Sequence, residues 1–99
     1  HHLMEEIDSN SKNISIWGIS QYTQLLLGTY PSLTKRIRYL FDSSPAKIGR
    51  TIRGNIIHSP GKLSSLRKGD LLLIPKGRFA TEMLQELNRV DFEGKITQY

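Results

Sequence analysis

Apolar and polar positions along the chain change period several times. Residues 14 to 17, Ile-Ser-Ile-Trp, form a short β-type run that stops at Gly18. Directly afterwards Tyr22, Leu25, Leu26 and Tyr30 recur at helical spacing, which predicts a strand, a tight turn and a helix. Pro31 closes that helix, because proline excludes the helical conformation for the residue before it. Arg36 to Phe41 alternates Ile37, Tyr39 and Phe41 with Arg36, Arg38 and Leu40, the pattern of a second strand with one partly wet face, and it ends at Asp42.

The segment from Asp42 to Gly49 supplies turn formers in Asp42, Ser43, Ser44, Pro45 and Gly49. Ile52 and the Ile56-Ile57 pair flank Gly54 as one extended segment broken by a bend. Ser59-Pro60 offers an N-cap and a first-turn proline for a brief helix reaching about Leu66. Asp70 to Ile74, DLLLI, is a continuous apolar run, as expected of a central parallel strand covered on both faces. Phe79, Met83, Leu84, Leu87 and Val90 then mark one helix face, and Lys95 to Gln98 follow Gly94 as a last short strand. Strands alternating with helices imply right-handed crossovers and an α/β, three-layer sandwich around a mostly parallel sheet of about five strands.

A chain of 99 residues is one domain with a modest core. The opening His1-His2-Leu3-Met4 and the polar run through Lys12 read as a tag remnant and disordered leader, so residues 13–99 are expected to form the folded domain, excised from a longer protein. No cysteine is present, which removes disulfides and thiolate metal sites. No apolar run suits a membrane span or a signal peptide, so cytoplasmic localisation without membrane contact is expected. The chain has 14 Lys and Arg against 9 Asp and Glu. Three of those acids, Glu5, Glu6 and Asp8, lie in the leader, so the body is more basic than the total, and an anionic partner is favoured alongside a merely solvated cationic surface.

In an open parallel sheet, ligands settle beyond the carboxyl ends of the strands where the chain order reverses. Gly18 to Tyr22, Asp42 to Ser44 and Pro75 to Arg78 all sit at such ends, so one crevice lined by three separated loops is expected. Gly18 matches the first position of a dinucleotide-binding fingerprint, but Ser20 and Thr23 stand where two further glycines belong. Ser20 obstructs close approach of phosphate while offering a hydroxyl, and Thr23 is expected to push the helix outward. Asp42 suits either a ribose or base-edge acceptor or the start of the turn at Ser43-Ser44-Pro45. Lys47, Arg50 and Arg53 lie beyond it, within reach of a phosphate or simply solvated. His58, the only histidine outside the leader, adjoins a strand end and reads as a packing or surface residue, and no set of metal ligands or nucleophile-base pair is legible.

Three stretches carry a resemblance: IWGISQYTQLLL, then Phe41-Asp42-Ser43 running into SPAKIGRTIRGNIIHSP, then DLLLIPKGRFATEML. Together they resemble the short Rossmann-like domain that accompanies bacterial nucleotide-sugar-modifying enzymes. Such domains precede sugar acetyltransferases and the membrane-associated dehydratases of polysaccharide biosynthesis, and follow sugar C-methyltransferases. The pattern is carried by Asp42, Pro45, Lys47 and Gly49, then Gly54 and Ser59-Pro60, and the match covers nearly all of residues 13–99. The resemblance implies a non-catalytic accessory domain in which Gly18, Ile19, Ser20 and Gln21 lie near phosphate or sugar, and Asp42 with Ser43 near base or ribose. The ligand is then a nucleotide-sugar or a dinucleotide, and the other partners are further domains of the parent protein.

The alternative class is a degenerate scaffold without ligand, which predicts a blocked crevice and exposed Tyr22 or Phe79 facing another domain. Nucleic acid is not expected as a partner, since KRIRY at residues 35–39 is the one basic stretch with an interleaved aromatic and its alternation suits an ordinary strand. On this reading Asp42→Ala weakens binding and leaves the fold intact.

Overall fold

The structure is a computed structural model that describes Ile7 and residues 13–99. The expectations for residues 1–6 and 8–12 lie outside the described residues. Ile7 is fully buried within an apolar cluster, and its carbonyl accepts a hydrogen bond from the Arg36 guanidinium at 2.6 Å.

Strand β1 (Ile14–Trp17) leads through Gly18 into helix α1 (Gln21–Thr29) and a short helix α2 (Pro31–Thr34). Strand β2 (Ile37–Phe41), the pair β3 (Thr51–Ile52) and β4 (Asn55–His58), and a 3₁₀ turn (Pro60–Ser65) follow. Strand β5 (Leu71–Ile74), helix α3 (Ala80–Arg89) and strand β6 (Lys95–Gln98) complete the chain. The strands form one sheet in the order β3-β4-β2-β1-β5-β6, parallel throughout except for β3 against β4. The α/β class and the mostly parallel sheet are as expected.

Six strands replace the expected five. Arg53 and Gly54 both take positive φ, 49° and 84°, the left-handed pair that a two-residue hairpin turn requires, so the segment around Gly54 folds back as two strands rather than bending as one. Pro31 also does more than end α1, since it occupies the first turn of α2, where its missing N–H has no intrahelical acceptor to lose. The Ser59 side chain, in contrast, makes no capping bond to the 3₁₀ turn that follows it.

Along β1 and β5 successive side chains alternate between two apolar clusters. Ile14, Ile16, Leu71 and Leu73 meet Leu26 and Leu27 of α1 and Leu33 of α2 on one sheet face. Trp17, Leu72 and Ile74 meet Leu63 and Leu87 on the other. The helical face of α1 differs from the expected one: Thr23, Leu26 and Leu27 are buried, while Tyr22 and Leu25 are 49% and 65% exposed. Three consecutive leucines permit more than one apolar face, and the sheet selected the one whose polar member, Thr23, finds hydrogen-bond partners.

From β1 the chain runs outward to β2 and β4, then returns to place β5 and β6 on the opposite side of β1. The strand order thus reverses beside the carboxyl ends of β1 and β5, where such sheets open a crevice.

Candidate functional site

Gly18 turns the chain out of β1 with φ +99°, and a side chain there would lie 3.0 Å from the Pro75 ring. Its N–H donates to the Phe41 carbonyl at 2.9 Å, so the turn is wedged between the ends of β2 and β5. Ser20 and Thr23 form a reciprocal cap at the start of α1: Thr23 N–H donates to Ser20 Oγ at 3.2 Å, and Ser20 N–H donates to Thr23 Oγ1 at 3.1 Å. The two residues that stand in place of glycines therefore complete the turn internally.

Tyr99, which the sequence pattern did not single out, closes this arrangement. Its hydroxyl lies 2.7 Å from Thr23 Oγ1 and donates to the Gly18 carbonyl at 3.1 Å, and its ring stacks on Tyr22 at 5.7 Å. Burial raises the pKa of this hydroxyl above the ordinary 10.0; the Thr23 hydrogen bond opposes the rise, and Tyr22 and the Asp42 carboxylate add to it. The folded state then holds the proton more tightly than the unfolded chain, so the stability linked to it is present below pH 10.0 and is lost as pH climbs through the raised value. In a tyrosinate absorbance titration, the step missing from Tyr99→Phe is expected above pH 10.0, and a missing step at or below that value contradicts the burial argument.

Asp42 is buried at the end of β2, and its carboxylate is bound by the protein itself. Oδ2 accepts from Ile19 N–H and Oδ1 from Ser44 N–H, both at 2.8 Å. The second bond is the turn-starting role that the sequence leaves open to Asp42; the first ties β2 to the β1–α1 turn across the sheet top. Lys47 adds its ammonium, donating to the Ile19 carbonyl at 2.6 Å and lying 3.7 Å from Asp42 Oδ2.

The three expected loops do meet on one rim. They enclose a cavity of about 750 Å³ lined by Gly18, Ile19, Ser20, Asp42, Ser43 and Lys47 on one side, and by Pro75 to Ala80 with Glu82, Met83 and Glu86 on the other. The crevice is thus open rather than blocked. Gln21 is exposed and, like Arg50 and Arg53, is not among the lining residues. Phe79 reaches the lining from the start of α3, where 56% of it is exposed, instead of joining the apolar helix face assigned to it.

His58 packs edge-on to Tyr39 at 5.6 Å, and its carbonyl accepts the Asp42 N–H at 3.0 Å. Among the described residues no group of three or more His, Asp or Glu side chains comes together as a metal site would require. Arg38, expected on a wet strand face, is paired with buried Asp70 at the far end of the sheet, 3.2 Å away.

No protein-family model and no curated protein matches the chain. Solved structures share its architecture, among them three of one repressor. The crystal structure of RSP, a Rex-family repressor, superposes with a TM-score of 0.68 at 13% identity, covering 99% of this chain and 58% of that one. RSP with β-NADH gives 0.67 at 15% identity, with coverage of 99% and 58%. RSP with β-NAD⁺ and operator DNA gives 0.67 at 17% identity, with coverage of 96% and 58%. The fold is Rossmann-like. At these identities the likeness carries the Rossmann-like fold and not the sugar-modifying parent that the sequence resemblance implied. It also corrects the expectation that excluded nucleic acid, because this Rossmann-like architecture occurs in a repressor bound to operator DNA. The chain spans 58% of the length of those structures. Among the described residues no helix is long and apolar enough to cross a membrane.

Proposed function

We propose that this Rossmann-like domain is a binding module for a nucleotide-type ligand, foremost a dinucleotide of the NAD kind, held in the cavity at the strand-order reversal. The observation that carries the reading is the convergence of the β1, β2 and β5 loops around about 750 Å³, within the usual range for small-molecule sites. Two of the structures that share the fold hold β-NADH or β-NAD⁺. Each Asp42 oxygen takes one backbone N–H, which fixes the carboxylate in advance, and Oδ1, the oxygen away from Lys47, keeps a lone pair for a ribose hydroxyl.

A nucleotide-sugar is the second reading, favoured by the run from Asp42 through Pro45, Lys47 and Gly49 to Gly54 and Ser59-Pro60 that resembles the sugar-modifying modules. In either case the partners of the domain are the other parts of a longer protein. Titrating isotope-labelled protein with NADH, a uridine-diphosphate sugar and S-adenosylmethionine decides between them. Amide shifts at residues 18–20 and 42–43 are expected with NADH; shifts with the sugar nucleotide alone favour the second reading, and none at millimolar ligand removes both.

A further inference from the structure

We propose that the anionic part of the ligand is held by Lys76 and Arg78 on the β5–α3 loop, and not by the backbone amides of the β1–α1 turn. The assignment rests on the binding reading above and goes beyond it. A glycine-rich turn ordinarily offers free N–H groups to phosphate. Here Ile19 N–H donates to the Asp42 carboxylate at 2.8 Å and Ser20 N–H to Thr23 Oγ1 at 3.1 Å, so both are already engaged. A phosphate brought to that turn meets no vacant donor at these two positions and faces a like charge. Lys47 offsets this only in part, because one of its N–H groups is taken by the Ile19 carbonyl and its charge is balanced by Asp42 Oδ2 at 3.7 Å.

The opposite wall has the reverse character. Lys76 and Arg78 are exposed, line the cavity and form no ion pair among the described residues. The Arg78 guanidinium lies 4.9 Å from the ring centroid of Phe79, which is itself exposed in the lining. A cation–π contact of this kind restrains the guanidinium without using any of its N–H donors, which stay available to phosphate oxygens.

The distribution of charge agrees. Asp42 is paired with Lys47 and Glu86 with Arg89, which leaves Lys76 and Arg78 against Glu82 in the lining. The positive surplus is therefore concentrated on the β5–α3 loop.

Inorganic pyrophosphate, titrated into the isotope-labelled protein, is expected to move the amide signals of residues 76–79 and leave those of 18–20 in place. Lys76→Gln combined with Arg78→Gln weakens this binding by about tenfold or more, the loss expected for one or two charge-assisted hydrogen bonds. Glu82→Gln tightens it, whereas Lys68→Gln, an exposed cation outside the cavity, leaves it unchanged. Shifts centred on 18–20, or no response to pyrophosphate, overturn the assignment. Repeating the titration with NADH separates the two claims. Pyrophosphate shifts at 76–79 without any nucleotide response retain the anion site and remove the nucleotide reading; NADH binding that is unaffected by the double variant does the opposite.

Discussion

Replacing Arg38 by alanine is expected to remove about 3–5 kcal/mol of folding stability, more than the loss from Asp70→Ala. The Asp70 side chain is 1% exposed and the Arg38 side chain 23%. Arg38 Nη1 donates to both carboxylate oxygens, at 3.2 and 3.4 Å, and Arg67 N–H donates to one of them at 2.7 Å. Without the arginine, a desolvated carboxylate keeps the Arg67 amide as its donor but loses its paired charge. Without the aspartate, the guanidinium still reaches water along its exposed part, so the penalty is smaller. A small domain has only about 5–15 kcal/mol in total, which makes Arg38→Ala a severe lesion in a residue distant from the cavity. Urea unfolding of both variants measures the order, and a larger loss in Asp70→Ala contradicts the desolvation argument.

Asp42→Ala is expected to damage fold and binding together. Deleting the carboxylate strands the Ile19 and Ser44 N–H groups and leaves Lys47 without its acidic neighbour, a cost of about 2–4 kcal/mol for hydrogen bonds to a charged group. Of the ligand and turn roles open to Asp42 in the sequence, these bonds favour a structural share, and the expectation of an intact fold gives way to one of lost stability: this carboxylate is part of the join between the β1–α1 turn and the end of β2. Asp42→Asn keeps one acceptor oxygen but turns an NH₂ group toward the other amide, so an intermediate loss is expected. Unfolding curves taken with and without NADH measure both consequences. An alanine variant of unaltered stability shows that neighbouring groups or water satisfy the two amides, and the clasp then has no structural weight.

Much of the architecture was legible in local pattern. The alternation of short β-type runs with helical spacing placed β1, α1, β2, β5, α3 and β6 correctly, and the positions of Gly18, Asp42 and Pro75 at strand ends were enough to bring three loops to one rim. The hairpin at Arg53-Gly54 is not legible in the sequence, because arginine is an uncommon occupant of a left-handed position and the dipeptide resembles a bend more than a two-residue turn. The buried face of α1 is hidden in the sequence because Thr23 is polar by residue type and buried by virtue of its partners. Tyr99 carried no signal at all. Its role depends on β6 lying beside β5 and aiming the ring at Thr23, and nothing in the neighbouring residues encodes that.

The sequence by itself determined the succession of strands, turns and helices, the parallel character of the sheet and the rim on which its loops gather, because hydrophobic period and turn chemistry act over a few neighbouring residues. Only the tertiary structure decided what the polar groups on that rim are free to do. Asp42 meets Ile19 across 23 positions, Arg38 meets Asp70 across 32, and Thr23 meets Tyr99 across 76. Hydrogen bonds and ion pairs depend on distances of a few ångströms between segments far apart in the chain, and those distances exist only once the sheet has assembled.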